Sequence, residues 1–202
     1  MNYSIELKNI TKQYDGKIVL DKINLRFDTC HTYYIIGDNG SGKSTLLNII
    51  SGYDTDYIGE YVSNGLSIGY LLQEDLLFRN LTVKDNLFLQ IKALSSQNID
   101  VESIIEALNL RIVLNKKVSQ LSGGEKKRVA IAQIMLKNTD IILLDEPMAN
   151  IHQSDIEGLL KTIYDVFQNK IIIIVSHGNV IESINQPVKK IILSKGKVVN
   201  DV

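Results

Sequence analysis

Directly after the apolar run Tyr33-Tyr34-Ile35-Ile36, residues Gly37 to Thr45 read GDNGSGKST, with three glycines and one lysine in nine positions. The stretch fits the pattern Gly-x-x-x-x-Gly-Lys-Ser/Thr, and it falls between an expected strand and an expected helix beginning STLLNIISG, the context that pattern requires. Glycines let successive backbone N–H groups turn inward around phosphate oxygens, and the helix start adds a favourable dipole. Gly37, Asp38, Asn39, Gly40, Ser41, Gly42, Lys43, Ser44 and Thr45 are therefore expected to cradle a nucleotide. Lys43 would reach its β and γ phosphates and Ser44 would ligate Mg²⁺.

A second group of residues suits the same chemistry. The run IILLDEP ends an apolar strand with two carboxylates, Asp145 and Glu146, where a parallel sheet presents its ligand edge. Asp145 would contact the metal through water, and Glu146 would polarise the water that attacks the γ phosphate.

The elements that must position these groups can be read from periodicity. YSIELKNI and KINLRF alternate apolar and polar residues, and between them lies the turn pair Asp15-Gly16, so the chain opens on an antiparallel β unit. TYYII, DIILLDEP and KIIIIVSH are continuous apolar runs, as expected of strands buried on both faces of a parallel sheet. Helical stretches follow the first two. The ending KKIILSKGKVV reads as strand, Lys195-Gly196 turn and strand. The middle third differs: TVKDNLFLQIKAL and DVESIIEALNL each start on a cap residue, Thr82 or Asp100, and continue with helix spacing. SSQNID is a polar connector between them.

Composition narrows the function classes. At 202 residues the chain suits one α/β domain with a subdomain. The net charge of -1, with basic residues dispersed, gives no footprint for nucleic acid, so none is expected as a partner. The single Cys30 fits a reducing compartment, with cytoplasm the default. No N-terminal signal pattern appears, and the longest apolar stretches fall far short of a bilayer span.

The segment LSGGEKKRVAIAQIML, shortly before the acidic strand, resembles the signature motif and following helix of ATP-binding cassette (ABC) proteins, and the resemblance covers nearly the whole chain. It implies an α/β P-loop NTPase core, a mixed and largely parallel sheet with an antiparallel β part, formed by residues 1–75 and 136–202. A helical subdomain would occupy about residues 76–135 and end in the signature helix. The cofactors implied are ATP and Mg²⁺. Two such cassettes meet head to tail, so Ser122 and Gly123, with Gly124 and Glu125 completing the motif, would contact a γ phosphate held by a second cassette. Taken alone, that segment is a helix start with Ser122 as cap and Glu125 in the first turn.

By the same resemblance, Gln73 in YLLQED matches a glutamine that senses Mg²⁺ and the attacking water, and His177 in IVSHG a histidine that contacts the γ phosphate. Tyr14 lies where an aromatic ring stacks on adenine. Catalytic roles are thus expected for Glu146, His177, Gln73 and Lys43, and metal contacts for Ser44, Gln73 and Asp145. The chain departs from the family at MANIH, where His152 stands in place of an aspartate at the dimer seam and introduces a group whose charge changes near neutral pH. The short stretch from Gly52 to Gln73, with IGYLLQE, resembles the ABC-F proteins that act on ribosomes. Those carry two cassettes per chain, however, which favours the ATPase subunit of a membrane transporter. Its partners would be a separate transmembrane subunit, docking near Gln73 and on DLLFRNLTV, and a second cassette, placing it at the inner face of the membrane. The compact C-terminus, without a regulatory domain, suggests an exporter. A soluble ABC ATPase acting on a ribosome or scaffold is the alternative.

Overall fold

The computed structural model describes residues 3–73, 76–93, 100–149, 151–177 and 187–201. All but the last residue of the connector expected at SSQNID lies outside them. Strands β1 (Ser4–Tyr14) and β2 (Lys17–Asp28) form an antiparallel pair. The turn between them consists of Asp15 (φ 49°) and Gly16 (φ 76°). Both residues are left-handed, the geometry whose twist matches that of the strands it joins. A third strand, β4 (Ile58–Val62), pairs antiparallel with β1 to give the sheet order β2-β1-β4.

The larger sheet contains β3 (Thr32–Ile36), β5 (Ile68–Leu71), β6 (Ile141–Asp145), β7 (Ile171–Ser176), β8 (Val188–Ser194) and β9 (Lys197–Asp201). Its order is β5-β6-β7-β3-β8-β9; the first five strands are parallel and β9 closes the edge antiparallel. The central strands bury both faces, as their unbroken apolar runs require. Tyr33, Ile35, Ile141, Leu143, Ile171, Ile173 and Val175 join one core, with the antiparallel sheet and helix α1 (Lys43–Ser51). Their neighbours Tyr34, Ile142, Leu144, Ile172 and Ile174 join a second core on the other face. Each such side chain contributes about 1.5–3 kcal/mol by leaving water. A one-residue slip would exchange the two faces.

The second core is built with α2 (Val83–Ala93), α3 (Val101–Ala107), α4 (Gly123–Leu136) and α5 (Gln153–Val166). A hydrogen bond of 2.6 Å between the buried Tyr34 and Tyr164 hydroxyls ties β3 to α5. The expected caps are in place. Thr82 Oγ1 accepts from the Asp85 N–H at 3.1 Å, and Asp100 Oδ1 from the Ser103 N–H at 3.1 Å. Fully buried Asn86 donates to the carbonyls of Phe78 and Thr82 and accepts from the Phe78 N–H, which fixes the loop entering α2.

Strand register positions the site. Ile36 is level with Ser176, and Asp145 with Val175. The C-terminal ends of β3, β6 and β7 therefore deliver the glycine loop, the carboxylate pair and His177 to one edge of the sheet.

Candidate nucleotide-binding site

The loop after β3 has a shape that only glycine allows at two positions. A Cβ on Gly37 would lie 2.0 Å from the Leu193 carbonyl oxygen. Gly42 has φ +106°, and its Cβ would meet the Leu20 side chain at 2.7 Å and the Val19 carbonyl at 2.9 Å. That left-handed residue turns the chain into α1, which starts without a side-chain cap and with no acidic residue in its first turn. The N-terminus of α1 thus keeps its positive end for a ligand anion.

Lys43 is buried and its Nζ donates to the carbonyls of Gly37 (2.7 Å) and Asp38 (2.9 Å), so the side chain lies back across its own loop. Burial pulls the ammonium below its ordinary value, against the opposing pull of Glu146, Asp145 and Asp38. A cation so placed gains from a phosphate that restores its counter-charge.

Asp145 is buried at the end of β6, and burial pushes its carboxyl up, with the nearby Glu146 adding to the shift and Ser44, Lys43 and His177 opposing it. The Ser44 hydroxyl lies beside the carboxylate and favours its charged form, while Oδ1 is enclosed with no hydrogen-bond partner among the described residues. A hydroxyl and a carboxylate with an unspent oxygen form a hard-oxygen donor set that fits Mg²⁺.

Glu146 adopts φ 49°, a conformation that a residue with a side chain adopts only at a cost. Its N–H donates to the Val175 carbonyl, and its carboxylate is held at both oxygens. His177 Nε2 contacts Oε1, and Gln73 Nε2 donates to Oε2 at 3.4 Å. Lys127 Nζ, from α4, in turn donates to the Gln73 carbonyl at 3.2 Å, linking the signature helix to this loop. Asn39, Lys43, Thr45, Gln73, Glu146 and His177 face a common cleft of about 370 Å³.

The structure does not bring every expected residue into that cleft. Ser122, Gly123, Gly124 and Glu125 do not line it. They form the start of α4, where Ser122 Oγ accepts from the Glu125 N–H at 3.2 Å and Glu125 Oε2 accepts from the Ser122 N–H at 2.7 Å. Tyr14 lies at the end of β1, 44% exposed, within hydrogen-bonding reach of the Thr45 side chain on the cleft wall. His152 precedes α5, exposed and making no side-chain cap bond. Two partners of Tyr14, Lys12 and Asp54, escape a reading of the sequence, because they are 42 positions apart and neither belongs to a motif. The strained backbone of Glu146 has no local signal either.

The glycine loop, the Asp145–Ser44 pair and the parallel strand ends define an α/β nucleotide-binding cassette. The family model described as ABC transporter matches residues 20–149, and the chain belongs to that family as a nucleotide-binding subunit. A putative ABC transporter ATP-binding protein of Mycoplasma pneumoniae is 30% identical over 96% of this chain and 74% of its own length. A spermidine/putrescine import ATP-binding protein of Spiroplasma citri is 35% identical over 72% of this chain, which spans 45% of that relative. Among solved structures, a dimeric ATP-binding cassette bound to ADP and Pi superimposes with a TM-score of 0.82 at 28% identity, covering 98% of this chain and 97% of that one.

Proposed function

We propose that this chain hydrolyses Mg²⁺-ATP to drive a membrane transporter, working as a dimer of cassettes. The observation that carries the reading is the arrangement around Glu146, which stands one residue beyond a metal-suited carboxylate and is held at both oxygens by Gln73 and His177. Glu146 polarises a water molecule, the two neighbours fix its orientation, and Lys43 with the N-terminus of α1 holds the phosphates. Mg²⁺, bound through Ser44 and Asp145, would neutralise charge on the phosphates.

The dimer supplies what the cleft lacks. Gly124 has open space around it and no positive φ, so this chain's own fold does not require glycine there. A close approach by the nucleotide of a second cassette does, and Ser122 and Gly123 lie at the same helix start. Relatives named as transporter subunits favour transport over the soluble alternative, and the polyamine relative is named for import, which gives the exporter expectation no support.

The transmembrane partner docks where residues 76–135 meet the sheet. Exposed Leu76, Phe78 and Leu89 border a groove of about 250 Å³ there, floored by Tyr70, Ala130 and Ile134. This contact holds the chain at the cytoplasmic membrane face. The test of the ATPase is Glu146→Gln, which is expected to leave ATP binding intact and slow hydrolysis roughly 10²-fold or more. Hydrolysis at the parental rate would refute the assignment of Glu146.

A further inference from the structure

Tyr14 is not a free surface ring. Its hydroxyl donates to Asp54 Oδ2 at 2.6 Å, and Lys12 Nζ lies 4.7 Å from the ring centroid. Lys12 is buried near the end of β1, and its ammonium donates to Asp54 Oδ1 at 2.8 Å and to the Asp56 carbonyl. One carboxylate thus grips both the phenol and the cation behind the ring. The Asp54 hydrogen bond is also the main cause that holds the Lys12 ammonium above its ordinary value, so the cation is firmly charged.

The position of Asp54 is set by α1. That helix ends at Gly52, left-handed at φ 78°, whose N–H donates to the Ile49 carbonyl, and the Asp54 N–H then donates to the Asn48 carbonyl at 3.1 Å. The nine-residue helix that starts at the phosphate loop, roughly 13 Å long at 1.5 Å per residue, therefore also fixes the carboxylate that holds Tyr14. The Lys12 side chain is shielded from solvent by this pairing, and removing Asp54 would leave its ammonium short of a partner. Holding up an exposed hairpin end does not require such a pair.

We propose that Asp54 and Lys12 are positioning residues that clamp Tyr14 as a preformed platform for the nucleotide base, at a distance from the phosphate loop set by α1. This rests on the reading of the cleft as an ATP site. The cation occupies one face of the ring and leaves the other for the base. A ring already fixed spares the ordering cost that a mobile one would incur on binding.

The test separates base from phosphate by measuring the affinities of Mg²⁺-ADP and Mg²⁺-pyrophosphate by calorimetry on the full chain. Tyr14→Ala should lower the ADP affinity about tenfold, the scale of one lost base stack, with pyrophosphate unchanged. Asp54→Ala should lower the ratio of ADP to pyrophosphate affinity about fivefold, and Lys12→Met by a smaller factor. Using the ratio cancels the general gain that any anion draws from loss of a nearby carboxylate. Should Asp54→Ala fail to fold, Tyr14→Phe decides when read beside Thr45→Val, since it keeps the ring and removes the hydroxyl's bond to Asp54 together with its reach to Thr45, which Thr45→Val removes alone; about a threefold fall in the ratio beyond that of Thr45→Val is expected. A parental ratio in the deciding variant, with Tyr14→Ala impaired, overturns the clamp and leaves base stacking standing. A parental ratio in Tyr14→Ala overturns stacking and the clamp together. Equal loss of both ligands in the deciding variant would mark damage to the loop and also overturn the clamp.

Discussion

Helices α1 and α4 both begin at glycine-containing turns that offer backbone N–H groups to an anion, yet they use the opportunity in opposite ways. At α1 the turn residue is left-handed Gly42, no side chain caps the helix, and no acid stands in the first turn. At α4 the turn residue is Ser122 in an extended conformation, and Ser122 and Glu125 satisfy each other's donors. The first start leaves its N–H groups unspent, with the buried Lys43 beside them as a counter-charge. At the second the Glu125 carboxylate already occupies the Ser122 N–H, so an incoming anion must displace it to use that N–H, while the Ser122 hydroxyl keeps its own proton to donate. A helix dipole alone therefore does not make an anion site; what matters is whether the donors are already spent.

The largest effect that tests this contrast is expected at Gly42. Gly42→Ala would force a side chain into a left-handed residue with the Val19 carbonyl 2.9 Å away. The variant should lose ATP affinity on the order of 100-fold and stability by roughly 1–3 kcal/mol. Calorimetric titration and thermal melting measure the two. Parental affinity would show that the open start is not where phosphate binds.

Gly124→Ala is the matching change at the closed start, with no clash and a helical backbone. The isolated chain should bind ATP as before and gain about 0.5–1 kcal/mol of stability from better helix propensity. ATP-driven dimerisation of the Glu146→Gln chain, followed by light scattering, should weaken roughly tenfold. Unchanged dimerisation would remove α4 from the shared site. Glu125→Gln keeps an amide oxygen for the cap and removes the negative charge, so dimerisation at low ATP should strengthen by about threefold. If it weakened instead, Glu125 would be a helper of the trans contact rather than its competitor.

The contrast also explains what could be read in advance. The loop, its two neighbouring elements and the caps at Thr82, Asp100 and Ser122 were legible because each depends on residues at most a few positions apart. The buried parallel strands were legible because both their faces are apolar. The strand order was not, since β3 lies between β7 and β8, more than 130 residues later in the chain. Nor was the clamp on Tyr14, because Lys12 on β1 looks like one more polar residue in an alternating strand until Asp54 is brought against it. The paired carboxylates at a strand end pointed to Glu146, and resemblance to the family to Gln73 and His177; only the fold places Gln73 and His177 on the two oxygens of Glu146.

The smallest effect concerns acid. The start of α2 is closed in the same manner as that of α4, that of α3 by its cap carboxylate Asp100 alone, and hydrogen bonds from Thr82 to Asp85 and from Ser103 to Asp100 hold both carboxyls below their ordinary value. A carboxylate with a depressed folded pKa contributes stability that is complete above the unfolded value, near pH 4, and is lost as pH falls through the folded one. The doubly substituted Asp85→Asn, Asp100→Asn chain should therefore melt below the parent at pH 7, with the gap closing as pH falls below about 4. Helix α1 has no first-turn acid to protonate, so its amides should show no corresponding change. Hydrogen exchange on the parent at pH 6 and pH 3, corrected for intrinsic rates, compares the helices directly. Protection should fall further at the first turns of α2 and α3 than at α1. Equal loss at all three would mean that acid acts on the fold as a whole and that the closed starts owe nothing to ionised caps.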